Sequence, residues 1–297
     1  MASKFMLIAD DVLDTSPEGI KRSNLVQRIG LNLSDKLKSP VKLLYVQNLL
    51  DENSQSEQIE KIKASLHERF RAEGKKLKII EARGNPVDEI FRIETGSPAP
   101  GLVVMRTKAK KGIERLLLGS VAEEVVRNAV VPVLVVGPNV TGVPAGKSRI
   151  LVATDLTKNS RRAEAYAMKL AKALKAEVVL IHSVLETLRV ADQYAAASGT
   201  TFLDQTTIDT IVMKTTEALM KKVKLFKANR VKCSFILDES GPTSQSALVT
   251  ECAQGYQYLV MGTHGRSSFV RAFLGSTAKE TLVKSPIPVI VVRSHNK

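Results

Sequence analysis

Three glycines mark a stretch whose backbone can come close to a ligand. Residues 262–277 read GTHGRSSFVRAFLGST, with two residues between Gly262 and Gly265 and nine more before Gly275. Glycine has no Cβ to hold a ligand away, so amides at these positions can converge on an anion. The spacing predicts a phosphate-binding loop, and the alternative is a tight strand-to-helix turn without a ligand.

Polar side chains in the same stretch can add to the hold on a phosphate. Ser276 and Thr277 carry hydroxyls at the start of the predicted helix AKETLVK, and unpaired amides at a helix start attract phosphate oxygens. Arg266 can add a charge-assisted hydrogen bond. His264 either contacts the phosphate or is an exposed loop histidine. The stretch has no carboxylate that would activate water or bind a metal.

A carboxylate ends an earlier apolar strand. The segment 148–156 reads SRILVATDL, and its apolar run is followed by Asp155. A carboxylate in this place accepts hydrogen bonds from a ligand or, alternatively, caps the next helix.

Much of the sequence occurs as two similar copies. Residues 103–136 align without a gap on residues 259–292 at an offset of 156, and residues 4–12 align on 148–156 at an offset of 144. The second copy therefore carries twelve extra residues between the two aligned blocks. This pattern indicates a tandem duplication.

Each copy alternates short β-branched apolar runs with amphipathic segments. Apolar runs such as ILVA, VVLI and VIVV predict strands that are buried on both faces. Predicted helical faces contribute to the core of the second copy, and they contain Ala163, Ala167, Leu170, Ala171, Leu174, Leu219, Val223 and Phe226. The alternation predicts an α/β protein with two tandem, doubly wound, parallel five-stranded sheets, whose ligand crevices lie at the carboxyl ends of the strands.

The first copy lacks half of the glycine pattern. Arg106 and Ala109 stand where the second copy has Gly262 and Gly265, and Lys108 stands where it has His264. Side chains at these positions should block close backbone approach to phosphates, so we predict a degenerate site. The pair that remains, at the matching offset, is Gly119 and Ser120. The cluster Arg106, Lys108, Lys110, Lys111 and Arg115 is either a solvated basic face or a site for another anion.

Two segments, one between the copies and one within the second copy, lie outside the aligned blocks. Residues 137–148, GPNVTGVPAGKS, read as a linker, which places the domains at residues 1–140 and 147–297. The run GVPAGKS resembles a phosphate loop, but it has one residue too few and a strand follows it instead of a helix. Residues 186–213 hold most of the extra length and form either a lid or a surface excursion without a ligand role.

Composition narrows the function classes. The net charge is +14, with +4 in residues 1–146 and +10 in residues 147–297, which favours anionic partners. Aromatic residues make up only 4% of the chain, which argues against nucleic acid as a partner.

Neither the cysteines, Cys233 and Cys252, nor the four histidines have metal-ligand spacing, and we expect both thiols to be buried. No apolar run approaches the about 20 residues of a membrane span, and we expect a cytoplasmic protein.

The glycine triplet, VATD at 152–155 and SPIPVIVV at 285–292 together resemble the universal stress protein family in its tandem two-domain form. The resemblance covers nearly the whole chain and implies a Rossmann-like fold that binds ATP, AMP or ADP, with any Mg²⁺ held mainly by the phosphates. It places the cofactor-binding residues in the second copy, at Ala153, Thr154, Asp155, Ser183, Val184, Met261, Gly262, Thr263, His264, Gly265, Arg266, Gly275, Ser276 and Thr277. Within this set, Asp155 would meet the ribose or the adenine edge. The resemblance also implies that Ala153 and Thr154 line the adenine side and that the backbone near Ser183 or Val184 meets the adenine edge.

The resemblance implies a stress-response regulatory protein, with no catalytic residue assigned. An ATP-hydrolysing enzyme with weak activity is the alternative, and an anion- or nucleic-acid-binding protein ranks below it. The resemblance also implies that the last strands, VPVLVV and IPVIVV, pair antiparallel and make the two halves an internal pseudo-dimer. Such pairing would cover two exposed strand edges. A homodimer of chains is a further possibility, and no membrane partner is expected.

Overall fold

The computed structural model describes residues 5–47, 56–72, 74–107, 118–184, 188, 204–239, 244–263 and 274–294. The chain divides into two compact units, Met1–Val143 and Pro144–Lys297. Among the described residues, each unit contains five strands and four helices that alternate along the chain.

The first unit is a parallel sheet with a helix between each pair of successive strands. Its strands are β1 (Met6–Ala9), β2 (Val41–Gln47), β3 (Lys78–Arg83), β4 (Leu102–Arg106) and β5 (Val133–Val136). Its helices are α1 (Pro17–Leu37), α2 (Ser56–Ala72), α3 (Pro86–Thr95) and α4 (Ser120–Asn128). The strands lie in the order β3-β2-β1-β4-β5. Strands β2 and β3 therefore lie on one side of β1, and β4 and β5 lie on the other.

The second unit repeats this arrangement. Its strands are β6 (Arg149–Ala153), β7 (Glu177–Ser183), β8 (Cys233–Asp238), β9 (Tyr258–Gly262) and β10 (Val289–Val292). Its helices are α5 (Arg161–Leu174), α6 (Gln205–Ala228), α7 (Ser244–Cys252) and α8 (Ser276–Lys284). The order β8-β7-β6-β9-β10, all parallel, matches that of the first unit. The predicted α/β class with two five-stranded parallel sheets is confirmed.

The cores consist of the apolar strands and the helix faces packed on them. Ile8 and Val104 in the first unit and Val152 and Val260 in the second are completely buried, as continuous apolar strands require when helices cover both faces of a sheet. All eight helical residues predicted to face the second core are buried. Both cysteines are free and buried, as predicted.

Strand registers show where the two units differ in length. Arg106 pairs with Val136, and Gly262 pairs with Val292, at the same offset of 156. At the second strand the offset is only 137, because Ile8 pairs with Leu43 whereas Val152 pairs with Leu180. Helix α1 has 21 residues and α5 has 14, whereas α2 has 17 and α6 has 24. The second unit is therefore shorter before its second strand and longer after it.

The predicted excursion at residues 186–213 is partly helical. Helix α6 begins at Gln205, with the Asp204 carboxylate accepting a hydrogen bond from the Thr207 amide at 2.7 Å as its N-cap. Residues 189–203 lie outside the described residues. Among the described helices, none is long and apolar enough to cross a membrane.

Candidate functional site

The candidate site lies where the strand order of the second unit reverses. Strand β6 has β7 on one side and β9 on the other, and all three run parallel. Ala153 ends β6, Ser183 ends β7 and Gly262 ends β9, so the three residues meet at the same edge of the sheet. In a doubly wound sheet this edge, at the reversal of strand order, forms a crevice.

The glycine-rich stretch joins β9 to the start of helix α8. Thr263 is fully buried directly after β9, and its carbonyl accepts a hydrogen bond from the Gly275 amide at 3.0 Å. This bond brings the start of α8 to the end of β9. Met261 is buried within β9, whereas Gly262 is partly exposed. His264, Gly265 and Arg266 lie outside the described residues, so their predicted roles stay predictions.

Helix α8 begins without a side-chain cap. Gly275 is its N-cap residue and makes no side-chain hydrogen bond, because it has no side chain to do so. The first amides of a helix have no acceptor inside the helix. Ser276 is exposed and Thr277 is partly exposed at this end. Amides and hydroxyls at the start of α8 are therefore suited to hold an anion.

Asp155 closes a tight turn after β6. Its Oδ1 accepts a hydrogen bond from the Thr157 amide at 2.8 Å, and its Oδ2 accepts one from the Thr157 hydroxyl at 2.7 Å. Helix α5 begins later, at Arg161, with Ser160 as its N-cap residue. The helix N-cap alternative for Asp155 is therefore wrong, and the carboxylate is held at the mouth of the crevice by its own turn.

Thr154 points into a buried polar network instead of lining the crevice with its hydroxyl. Its Oγ1 donates to Glu164 Oε1 at 2.6 Å, and it accepts from the Leu156 amide at 3.1 Å. Glu164 also accepts from Ser160 Oγ at 2.9 Å and from Lys222 Nζ at 2.6 Å. The network fixes the turn between β6 and α5. It was missed in the sequence because Glu164 and Lys222 lie on different helices.

At the end of β7, some backbone groups already form hydrogen bonds within the protein. The Val184 amide donates to the Asp238 carbonyl at 3.0 Å, so this amide is not available to an adenine edge. The Ser183 hydroxyl is buried and has no hydrogen-bond partner in the described part of the chain. Of the two predicted residues Ser183 and Val184, Ser183 is therefore the one whose polar side chain lacks a hydrogen-bond partner in the described part of the chain.

In the first unit, an arginine occupies the matching crevice. Arg106 ends β4, at the register position of Gly262, and its Nε lies 2.9 Å from Asp10 Oδ1. The same guanidinium donates to the Asp11 carbonyl at 3.0 Å. Asp10 matches Thr154, since the amide of each bonds to a carbonyl of the adjacent strand at 3.0 Å.

Further polar groups fix the buried aspartate. Asp10 Oδ2 accepts from Ser23 Oγ at 2.5 Å and from Gln27 Nε2 at 2.9 Å. A second guanidinium, that of Arg22, donates to the carbonyls of residues 136–138, and burial together with the charge of Arg106 lowers its pKa. The carboxyl edge of this sheet is therefore filled by the protein's own side chains.

Other predicted features of the first unit have mixed outcomes. Gly119 is the N-cap residue of α4 and has φ −60° and ψ 146°, almost the same as Gly275 with φ −58° and ψ 146°. The predicted basic cluster does not include Arg106 as a solvated or anion-binding residue, because its side chain is buried and paired with Asp10. The other members of the cluster fall in residues 108–117, which lie outside the described residues. Among the described residues of the whole chain, no three His, Cys, Asp or Glu side chains come together as a metal site.

Comparisons with known proteins agree with this architecture. A family model described as the universal stress protein family matches residues 26–137 and again residues 147–293. A universal stress protein from Methanocaldococcus jannaschii is 42% identical over 91 residues, which are 31% of this chain and 50% of that protein. The chain thus spans about half the length of this relative.

Two solved structures are similar over nearly the full chain. A universal stress protein from Archaeoglobus fulgidus is 22% identical, with a TM-score of 0.65, and the match covers 98% of this chain and 96% of that one. A functionally unknown protein from Pseudomonas aeruginosa PAO1 is 18% identical, with a TM-score of 0.64, and the match covers 99% and 93%. At these identities the similarity concerns the fold alone.

Proposed function

We infer that this chain, which belongs to the universal stress protein family in its tandem form, is a stress-response regulator that holds ATP or another adenine nucleotide in its second unit. The observation that carries this proposal is the pairing of Gly275 with Thr263, which brings an uncapped helix start to the end of a central strand. Phosphate oxygens are the groups that such a backbone arrangement holds best.

The phosphates would lie between the end of β9 and the start of α8. The groups that hold them are the amides and polar side chains of Gly262, Thr263, His264, Gly265, Arg266, Gly275, Ser276 and Thr277. Any Mg²⁺ would be held mainly by the phosphates themselves. The charge balance supports an anionic ligand, because the second half of the chain carries +10 of the net +14.

The nucleoside would extend from β9 over β6 toward β7. Asp155 is held by its turn where a ribose hydroxyl can donate to it. Ala153, Thr154 and Met261 would support the adenine through their backbone and apolar surface, since the Thr154 hydroxyl is already bonded to Glu164. The backbone near Ser183 or Val184 would meet the adenine edge, while the Ser183 hydroxyl is buried.

The first unit, residues 1–140, would not bind the nucleotide. Arg106 and Asp10 occupy the matching crevice as a buried pair. Residues 147–297 would form the nucleotide-binding domain. We also propose a cytoplasmic location and antiparallel pairing of the two last strands, β5 and β10, both inferred from sequence and family resemblance.

A matched pair of variants tests the nucleotide site. Gly275→Val places a branched side chain at the start of α8, and Gly119→Val places the same side chain at the start of α4, where the backbone has the same conformation. That conformation is open to residues other than glycine, so both variants should fold with the same small cost. In isothermal titration calorimetry at physiological salt, we expect one tightly bound ATP per wild-type chain, loss of this tight binding in Gly275→Val and no change in Gly119→Val.

Three outcomes would overturn the proposal or parts of it. Equal binding by wild type and Gly275→Val would remove the α8 start from the site. Loss of binding in Gly119→Val alone would move the site to the first unit. Sustained phosphate release by wild type, abolished in Gly275→Val, would replace the regulatory proposal by the ATP-hydrolysing one.

A further inference from the structure

A second concave surface lies at the opposite end of the second sheet from the nucleotide crevice. It is a depression of ≈570 Å³ in which the starts of β6, β7 and β8 meet the ends of α5 and α6. Its charged residues are Lys147, Lys172, Lys175, Glu177, Arg230 and Lys232, and we call it the basic depression. Its volume is in the range of small-ligand sites.

The cations of the basic depression outnumber its carboxylate five to one. Glu177 Oε2 lies 3.3 Å from Lys232 Nζ and 3.8 Å from Lys147 Nζ, so one carboxylate is shared by two lysines. Lys172 Nζ donates to Asn229 Oδ1 at 3.2 Å, which is a neutral partner. The depression therefore carries an excess of positive charge that attracts anions.

Two of the cations stand at backbone positions that favour glycine. Lys175 has φ 49° and Arg230 has φ 61°, each directly after the last turn of a helix. Glycine is the usual residue in this left-handed conformation. The first unit has glycine at the match to Arg230: Gly74, with φ 68°. The second unit thus has a basic side chain at a position where the backbone favours glycine.

Hydrogen bonds at the helix ends establish this match. In the first unit the Gly74 amide bonds to the Arg71 carbonyl at 2.9 Å, and the next amide bonds to Phe70 at 2.8 Å. In the second unit the Arg230 amide bonds to Lys227 at 2.9 Å, and the next amide bonds to Phe226 at 3.0 Å.

At the matching helix ends of the first unit, an aspartate offsets part of the positive charge. By the same bonding pattern, Lys38 matches Lys175, and Asp35 matches Lys172. Asp35 forms an ion pair with Lys75 there. Basic residues are common at helix ends because they complement the helix dipole, and Lys38 fits that explanation. Where the first unit has Asp35 and Gly74, the second has Lys172 and Arg230. The larger positive charge at this place in the second unit is therefore not explained by the helix dipole alone.

We propose that the basic depression binds a ligand with several phosphate groups, independently of the nucleotide crevice. Arginine binds phosphate oxygens with two parallel hydrogen bonds, and lysines add point charges around it. Among the described lining residues there is no aromatic ring on which a nucleobase could stack. Recognition is therefore directed to phosphates, either a free polyphosphate or the headgroup of a multiply phosphorylated lipid.

Glycine substitutions give a clean test because the backbone favours them. Arg230→Gly and Lys175→Gly remove a charge at a left-handed position, and Lys38→Gly does the same in the first unit as the matched control. All are made in the full chain carrying Gly275→Val, so that phosphates cannot bind at α8. Inorganic triphosphate is titrated calorimetrically at low salt and at physiological salt.

We expect triphosphate binding that weakens as salt rises, and a loss of about tenfold or more in affinity in Arg230→Gly and in Lys175→Gly. Lys38→Gly should bind like its parent. The tight ATP binding that Gly275→Val removes should be unchanged by Arg230→Gly, which separates this site from the crevice. Weaker ATP binding through its phosphates at the basic depression should be lost in Arg230→Gly. The proposal is overturned if triphosphate does not bind, if Arg230→Gly binds as tightly as its parent, or if Lys38→Gly loses as much.

Vesicles distinguish the two sources of phosphate. Phosphatidylcholine vesicles with and without an inositol lipid bearing two ring phosphates are sedimented with the protein and with Arg230→Gly. Retention on the phosphorylated vesicles that is lost in Arg230→Gly identifies the lipid headgroup. Triphosphate binding without such retention identifies a free polyphosphate.

Discussion

Arg106 Nε lies 2.9 Å from Asp10 Oδ1, and the two side chains are 6% and 0% exposed. The second unit has Gly262 and Thr154 at the same two positions, so neither member of the pair is present there. A buried charge without its partner is costly, which means that the two positions are tied to each other. In the first unit, a buried ion pair therefore stands where the second unit has a glycine and a threonine.

Removing either member of this pair should destabilise the protein strongly. Asp10→Thr leaves a buried guanidinium, and Arg106→Gly leaves a buried carboxylate, so each should lower the free energy of unfolding by about 3–5 kcal/mol. The double variant places the residues of the second unit at both positions, and its loss should be clearly smaller than the sum of the two single losses. Urea unfolding of the four proteins measures this coupling.

An exposed pair provides the control for that cycle. Arg92 and Glu89 form an ion pair at 2.7 Å on the surface of α3, where the arginine side chain is 63% exposed. Arg92→Ala should lower the free energy of unfolding far less than either change in the buried pair, because the arginine end of the pair is in contact with water. Additive losses at Asp10 and Arg106 would contradict the buried-pair account.

Most of the architecture could be predicted from the sequence, and the buried polar contacts could not. The alternation of apolar runs defines strands and helices, and the missing glycines point to a changed crevice at Arg106. The partner of Arg106 is 96 residues away, and only the adjacency of β1 and β4 brings Asp10 to it. The predicted fold implied that these two strands are adjacent, but the residue pattern does not determine which side chain at the end of β1 bonds to Arg106.

Other contacts depend on how helices are rotated against the sheet. Glu164 and Lys222 are 58 residues apart on α5 and α6, and their bond follows from side-chain directions that periodicity does not determine. The basic depression depends on the left-handed ends of the same two helices. Lysine and arginine are poor signals for that conformation, since glycine is the residue that usually marks it.

Asp155 has a structural role and a proposed ligand role, and two substitutions separate them. Asp155→Asn keeps an oxygen that can accept from the Thr157 amide, so stability should change little. Asp155→Ala removes the acceptor and should cost about 1 kcal/mol of unfolding free energy. If the carboxylate binds a ribose hydroxyl, both variants should bind ATP more weakly than wild type in calorimetric titrations. If Asp155→Asn binds ATP as tightly as wild type, the carboxylate has only its structural role in the turn.

The two cysteines should be inert in the folded protein. Cys233 and Cys252 are 4% and 0% exposed, and burial raises the pKa of both thiols to about 12. Thiolate is the reactive form of cysteine, so very little of it is present near neutral pH. A chromogenic disulfide reagent at about pH 8 should label neither thiol in the native protein and both in urea. Rapid labelling of native protein would show that strand β8 or helix α7, which contain the two cysteines, opens easily.

Glu94 should make the free energy of unfolding depend on pH between about pH 4.5 and about pH 7. It is 3% exposed on α3, and burial raises the pKa of its carboxyl from 4.5 to about 7, although the Val130 amide donates to Oε2 at 3.2 Å. Its Oε1 is buried without a partner in the described part of the chain. Between these two pKa values the folded state holds a proton that the unfolded state has lost. The free energy of unfolding therefore falls as pH rises through this window.

Glu94→Gln removes this dependence, because a neutral amide has the shape of the protonated acid and no charge to bury. Above about pH 7 the variant should be more stable than wild type by about 3 kcal/mol, and below about pH 4.5 the two should be nearly equal. Urea unfolding across this range measures both curves. Val130→Ala keeps the amide and the carboxylate and should leave the pH dependence of wild type. Parallel curves for wild type and Glu94→Gln would mean that Glu94 ionises in the folded protein as it does in the unfolded chain.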